Sequence, residues 1–192
     1  ELLFSNLEEL ERLTKMISDM LWLAKTQNGL IKPQQQVLNN HSEIAALFEY
    51  FDALAEDENI TFVQQGENLD FYCDKLHFRQ LLSNLLSNAI RYTPQGCSIT
   101  LKSKNTANGQ ICICISNPGE KIANEHLPYL FDRFYRADKS RKRHSDGAGL
   151  GLAIVKALVK ANGGEIAVTS NDNETSFKLY FALAKTQHHI KH

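Results

Sequence analysis

"NLLSNAIRYTP" (residues 84–94) sets two amides, Asn84 and Asn88, into the apolar run of a helix, and their placement decides the fold. Asparagine suits a helix interior poorly, because its amide competes for backbone hydrogen bonds and is costly to bury unpaired. At about 100° per residue, Leu81, Leu82, Leu85, Leu86 and Ala89 make one apolar face. Asn84, Asn88 and Arg91 then fall in a narrow stripe along its edge, with Tyr92 close by. Two neutral oxygen donors and a cation suit a hydrated divalent ion with phosphates attached, since Mg²⁺ takes oxygen ligands and keeps some waters. The plainer reading of the same pair is amides satisfied by loop backbone.

The chain has 192 residues, enough for one domain with an extension or for two small ones. Its formal charge is −1, which removes any bulk electrostatic case for nucleic acid or an anionic membrane. No apolar run reaches the roughly 18–20 residues of a membrane span, and no signal peptide is visible. Opening on "ELLFSNLEEL" without a start methionine, the chain reads as a soluble, cytoplasmic piece of a longer protein, one that could hold membrane segments elsewhere.

Outward from the opening stretch, the first segment reads as one long helix. Leu3, Leu7, Leu10, Thr14, Ile17, Leu21 and Ala24 follow alternating four- and three-residue steps, and Gly29 ends the run. Such a helix leaves its seam exposed until it pairs with another. Residues 1–30 therefore read as a helix of a bundle or a dimer arm, 31–39 as a linker marked by Pro33, 40–185 as a compact unit and 186–192 as a tail ending in "HHIKH". In the compact unit Asn40 with Glu43 suggests a capping box for the helix "SEIAALFEYFDALAEDE". "ITFVQQ" reads as a strand, Asp74 as the cap of the next helix, and Pro94 as its stop. "CSITLKSKN" and "QICICIS" flank a "TANG" turn, a further helix over "LGLAIVKALVKAN" stops at Gly163–Gly164, and "EIAVTSN" with "TSFKLYFAL" closes a hairpin. The interspersed helices and hairpins predict an α+β fold, a two-layer sandwich.

Four further features carry chemistry. Gly147, Gly149 and Gly151 in "DGAGLGLAIV" run straight into a helix, an arrangement that serves either a tight connection or a phosphate cradle. Asn117 in "SNPGEKI" sits at a strand end, where it either presents an amide to a heterocycle or opens an Asn-Pro-Gly turn. "YLFDRFYRADKSRKRHSDG" joins aromatics to Arg133, Arg136, Lys139, Arg141, Lys142 and Arg143, either a lid over a polyphosphate or a solvated loop. "ICICI" alternates, so Cys112 and Cys114 share one strand face and the isoleucines the other. The two thiols read as small packing residues in a reducing compartment, with a soft-metal site as the alternative.

The order of these motifs resembles the ATP-binding domain of sensor histidine kinases, the GHKL or Bergerat fold. In that family's terms "NLLSNAIRYT" resembles the N box, "SNPGEKI" the G1 box, "LFDRFYR" the F box and "GAGLGLAIV" the G2 box, over about residues 40–184. The preceding helix resembles the second helix of the family's dimerization hairpin. The wording "NPGEKIANEHLPYLFDRFYRADKSR" is similar to heavy-metal sensor kinases of the Cus type, which respond to copper or silver from the bacterial inner membrane.

The resemblance implies ATP and Mg²⁺ as cofactors. Asn88 would ligate the metal with Asn84 in support, and Arg91 and Tyr92 would face the nucleotide. Asn117, Gly119 and Ile122 would belong to the base side, with Thr175 near the adenine. Phe131, Phe134 and Arg136 would frame the lid, and Gly147, Gly149, Leu150 and Gly151 would cradle phosphate. Two positions depart from the family's Asp-x-Gly-x-Gly: Asn117 stands for the acid and Lys121 for the second glycine. An amide oxygen still accepts a hydrogen bond from an adenine amino group.

None of the seven histidines lies in the phosphoacceptor pattern His-Glu/Asp-x-x-x-Pro. The implied partners are thus a His-bearing dimerization helix of the same protein, a response regulator, and a second copy in the parent homodimer, with no nucleic acid. No residue of this chain is itself a catalytic nucleophile or base. The rival readings are a non-catalytic nucleotide-binding module and a serine kinase of the anti-sigma-factor type; the heptad helix argues against the second.

Overall fold

Why each segment takes its shape is visible at its ends. In this computed structural model, which describes residues 2–27, 29–30, 32–137 and 149–184, α1 (Leu2–Gln27) stops where the chain turns left-handed at Gly29, φ +68°. The Gly29 amide donates to Thr26 O at 3.1 Å and the Leu30 amide to Lys25 O at 3.0 Å, a Schellman closure. The chain continues through β1 (Gln35–Asn39), α2 (Asn40–Asp57), β2 (Thr61–Gly66), β3 (Asp70–Asp74) and α3 (Lys75–Tyr92). β4 (Ser98–Asn105), β5 (Gln110–Asn117), a 3₁₀ turn (Leu127–Tyr129), α4 (Gly151–Ala161), β6 (Glu165–Ser170) and β7 (Thr175–Ala182) complete it.

A five-stranded sheet runs in the order β2-β4-β5-β7-β6, antiparallel except for the β2–β4 pair, which α3 connects. Along β5 the alternation works as expected: Ile111, Ile113 and Ile115 point into the core. There they meet Leu81, Leu82, Leu85 and Leu86 of α3, and Ile154, Val155 and Leu158 of α4. Three helices on one sheet face make the expected α+β two-layer sandwich. β1 pairs antiparallel with β3 as a separate two-stranded sheet, so residues 35–39 are a strand inside the stretch read as linker.

Two local readings need correction. The N-cap of α2 is Asn39, whose Oδ1 accepts from the Ser42 amide at 3.1 Å. Asn40 is fully buried instead, donating to Glu67 O and accepting from the Leu69 amide. Glu43 does not reach back to the cap; it bridges to Lys75 Nζ at 2.8 Å and Arg79 Nε at 3.0 Å, clamping α2 to α3. With Asn39 as the cap, Glu43 stands at N4, one residue beyond the capping-box position, and sequence spacing alone cannot tell which of two adjacent asparagines caps.

The start of α3 is fixed as expected, and more firmly. Asp74 Oδ1 accepts from the His77 amide at 3.0 Å, and Oδ2 accepts from the Gln34 amide at 2.7 Å. The Asp74 amide donates to Asn162 Oδ1 at 2.8 Å, tying the C-cap of α4 to the root of α3. Burial pushes Asp74 up, but its backbone N–H donors outweigh this and hold the carboxyl below its ordinary value. Trp22 of α1 lies edge-on to His77 with centroids 5.9 Å apart, and Leu23 is buried beside it. The seam residues whose side chains are described, Leu7, Leu10, Thr14, Ile17, Leu21 and Ala24, are all exposed. Helix α1 therefore docks through the face carrying Met16, Trp22 and Leu23 and leaves its heptad face open.

Candidate functional site

At one end of the sandwich α3, the start of α4, the end of β5 and the start of β7 enclose a cleft of about 680 Å³. The apolar face of α3 is used up by the core, which turns its polar edge outward along one wall of this cleft. Asn84, Asn88, Arg91 and Tyr92 line that wall. Neither asparagine amide takes a protein hydrogen-bond partner among the described residues, so the reading of the pair as loop-capping amides finds no support. Free amide oxygens on the wall of an open cleft are a donor set that fits a hydrated Mg²⁺.

Opposite stand Leu150 and Gly151, at the N-terminus of α4, with Gly149 before them. A Cβ on Gly151 would lie 3.6 Å from Asn84 Oδ1, so this turn faces the amide stripe directly. Gly149 is required by its backbone: φ is +71°, and a Cβ would come within 2.9 Å of Phe134 Cα. Phe134 itself adopts φ +63° and donates its amide to Gly149 O at 2.9 Å. A left-handed phenylalanine costs on the order of 1 kcal/mol. That pairing ties together the two ends from which residues 138–148 depart. First-turn amides without a side-chain cap and partial positive charge at the helix end favour an anion here.

The floor is built by register. Asn117 and Thr175 are partners across β5 and β7, and both are buried and line the cleft. Asn117 Nδ2 donates to Pro118 O at 3.0 Å, which leaves Oδ1 as the group offered to a ligand. Thr175 Oγ1 lies 2.7 Å from Ser170 Oγ, which accepts from the Ile122 amide at 2.9 Å. That chain holds the 117–122 loop against the sheet. Gly119 passes so close to the end of α3 that a Cβ would sit 2.7 Å from Tyr92 O. Ile122, Gly119 and Arg136 all reach the lining.

Not every expected residue arrives. Phe131 packs instead against Phe177, centroids 6.3 Å apart, with the Lys156 ammonium 5.7 Å from its ring. Phe134 is half exposed and acts through its backbone, outside the lining. Gly147, with Lys139, Arg141, Lys142 and Arg143, falls outside the described residues. Conversely, the lining includes Met16 and Asp19 of α1, Lys121, His126 and Tyr135. His126 Nδ1 lies 2.7 Å from the Tyr135 hydroxyl, and Lys121 Nζ lies 3.2 Å from Asp172 Oδ1. Met16 and Asp19 had no signal of their own, because only the docking of α1 brings them near. His126 lies close to "NPG" in sequence, but a lone histidine marks nothing by itself.

A model of the family described as "Histidine kinase-, DNA gyrase B-, and HSP90-like ATPase" matches residues 73–185. The sensor histidine kinase CusS of Escherichia coli O157:H7 is 48% identical over 177 residues, covering 92% of this chain and 36% of that protein. The probable sensor kinase SilS of Salmonella typhimurium is 39% identical over 183 residues, with 93% and 37% covered. The chain thus spans little more than a third of these relatives. Among solved structures, Acinetobacter baumannii histidine kinase AdeS superposes with a TM-score of 0.80 at 22% identity, covering 96% of this chain and 86% of that one. Full-length ShkA in complex with AMPPNP gives a TM-score of 0.80 at 23% identity, with 92% and 37% covered. At those identities the two structures speak for the fold alone.

Proposed function

The chain belongs to the histidine kinase-, DNA gyrase B- and HSP90-like ATPase family, and from that premise we propose that it is the ATP-binding catalytic module of a membrane sensor histidine kinase. Its parent would be a homodimeric inner-membrane protein acting in a two-component system that answers heavy metals such as copper or silver, with this module on the cytoplasmic side. The observation that carries the reading is the convergence of Asn84, Asn88, Asn117, Leu150, Gly151 and Thr175 on one cleft. No described helix is long and apolar enough to cross a membrane.

In this reading Asn117 Oδ1 accepts from the adenine amino group while Thr175 packs beneath the base. Asn88, backed by Asn84, holds Mg²⁺, which when bound neutralises polyphosphate charge. Arg91, Tyr92 and Arg136 face the nucleotide from the walls, and the first amides of α4 take phosphate oxygens. Phosphoryl transfer depends chiefly on positioning and charge neutralisation, so a module without its own nucleophile or base suffices. The γ-phosphoryl then passes to a histidine on a dimerization helix outside this chain, and from it to an aspartate of a response regulator.

The open heptad face of α1 supports that assignment, since it is available to the other dimerization helix. The test is to supply a separate His-bearing dimerization segment and labelled ATP. Label on that histidine is expected; tight Mg-ATP binding with no label would instead favour a non-catalytic nucleotide-binding module.

A further inference from the structure

Strand β5 carries a feature the nucleotide cleft does not use. Cys112 and Cys114 are both free thiols two residues apart, on the sheet face turned away from the three helices. Cys112 lies between Lys104 of β4 and Tyr180 of β7, and Cys114 between Lys102 and Lys178. Residues directly opposite one another share a face, so Lys102, Lys104 and Lys178 flank the thiol pair by register, and the charges of Lys104 and Lys178 are felt at Cys112. Cys112 is only 2% exposed and hydrogen-bonds the Tyr180 side chain, while Cys114 is half buried with Sγ 3.5 Å from Ser116 Oγ.

We propose that Cys112 and Cys114 form a two-thiolate site for a soft monovalent cation of the Cu(I) or Ag(I) class. Thiolates select such ions, and among the described residues no group of three or more His, Cys, Asp or Glu comes together for a metal. A four-coordinate zinc site is therefore not on offer here, whereas a linear ion needs two sulfurs only. Residues two apart on a strand rise about 6.8 Å. A linear S–M–S unit with bonds like the roughly 2.3 Å of zinc–thiolate spans ~4.6 Å, so binding requires Cys114 Sγ to leave Ser116 Oγ, 3.5 Å away, and lean toward Cys112.

On binding, two S–H bonds break and two M–S bonds form, two protons leave to solvent, and no electron changes hands. The product carries one net negative charge. Lys102, Lys104 and Lys178 frame that charge on the same face, which distinguishes this pair from two thiols in a neutral setting. The site is independent of the nucleotide reading, because none of these residues lines the cleft.

The experiment uses the full chain, reduced and without oxygen, competing for Cu(I) against a chromophoric chelator. The protein is expected to withdraw one ion per chain, and the Cys112→Ser/Cys114→Ser pair to lose that capture. Cys114→Ser alone, at a half-buried position where serine is readily accommodated, is expected to lose it too while melting like the parent. Cys73→Ser/Cys97→Ser should withdraw the ion as the parent does. No withdrawal by the parent chain, or capture that survives Cys112→Ser/Cys114→Ser and moves to Cys97 or the terminal histidines, overturns the proposal.

Discussion

Asp74 shows how much a single side chain can organise. It caps α3, accepts the Gln34 amide, and through its own N–H engages Asn162 of α4. Replacing a capping aspartate with alanine costs about 0.5–2 kcal/mol. Because a second acceptor bond is lost in a largely buried setting, Asp74→Ala should fall at the upper end, read as a lower urea midpoint. Gly149 makes a different kind of demand. Gly149→Ala places a methyl group against Phe134 Cα from a left-handed backbone, so the turn must shift. Nucleotide affinity is expected to fall at least tenfold in calorimetry while the melting temperature changes little, because the clash is confined to the rim.

At the scale of elements, α1 presents two faces with opposite tasks. Leu23 is buried against the domain, whereas Leu10 and Ile17 are exposed along the heptad seam. Ile17→Glu should therefore leave thermal stability unchanged and abolish pairing with a dimerization helix, read by sedimentation velocity in its presence. Leu23→Ala should do the reverse, accelerating hydrogen exchange along α1. The seam could be read from its spacing, but the docking face could not, since Met16, Trp22 and Leu23 fall outside the heptad pattern. The same limit applies at the cleft. The α3 stripe, Gly149 with Gly151, and Asn117, which the structure brings to one cleft, could be singled out because each is a local departure from what a helix, turn or strand prefers. Phe131 was misplaced because an aromatic in a loop looks the same whether it faces a ligand or Phe177. β1 and β3 were missed because each is only five residues long and acquires its pairing from the other.

Across the whole molecule, two buried carboxylates couple folding to pH. Burial pushes Glu43 up, but hydrogen bonds and charge from Lys75 and Arg79 outweigh it and leave its carboxyl lowered, as at Asp74. Carboxyls lowered in the folded state contribute stability that is present above their unfolded values near pH ~4 and lost as pH falls through the folded ones. The urea midpoint should therefore drop below about pH 4, and Glu43→Gln should narrow its deficit from the parent chain there. That clamp and the Asp74–Asn162 tie hold α2, α3 and α4 together, and with them both walls of the cleft. The central claim is that the cleft holds Mg-ATP through the amide stripe of α3. Calorimetry with a non-hydrolysable ATP analogue, with and without Mg²⁺, on the parent chain and Asn88→Ala tests it most directly. The account predicts Mg²⁺-dependent binding in the parent chain and loss of that dependence in a still-folded Asn88→Ala. Equal affinity in the two proteins with Mg²⁺ present, or no binding by the parent chain, would contradict it.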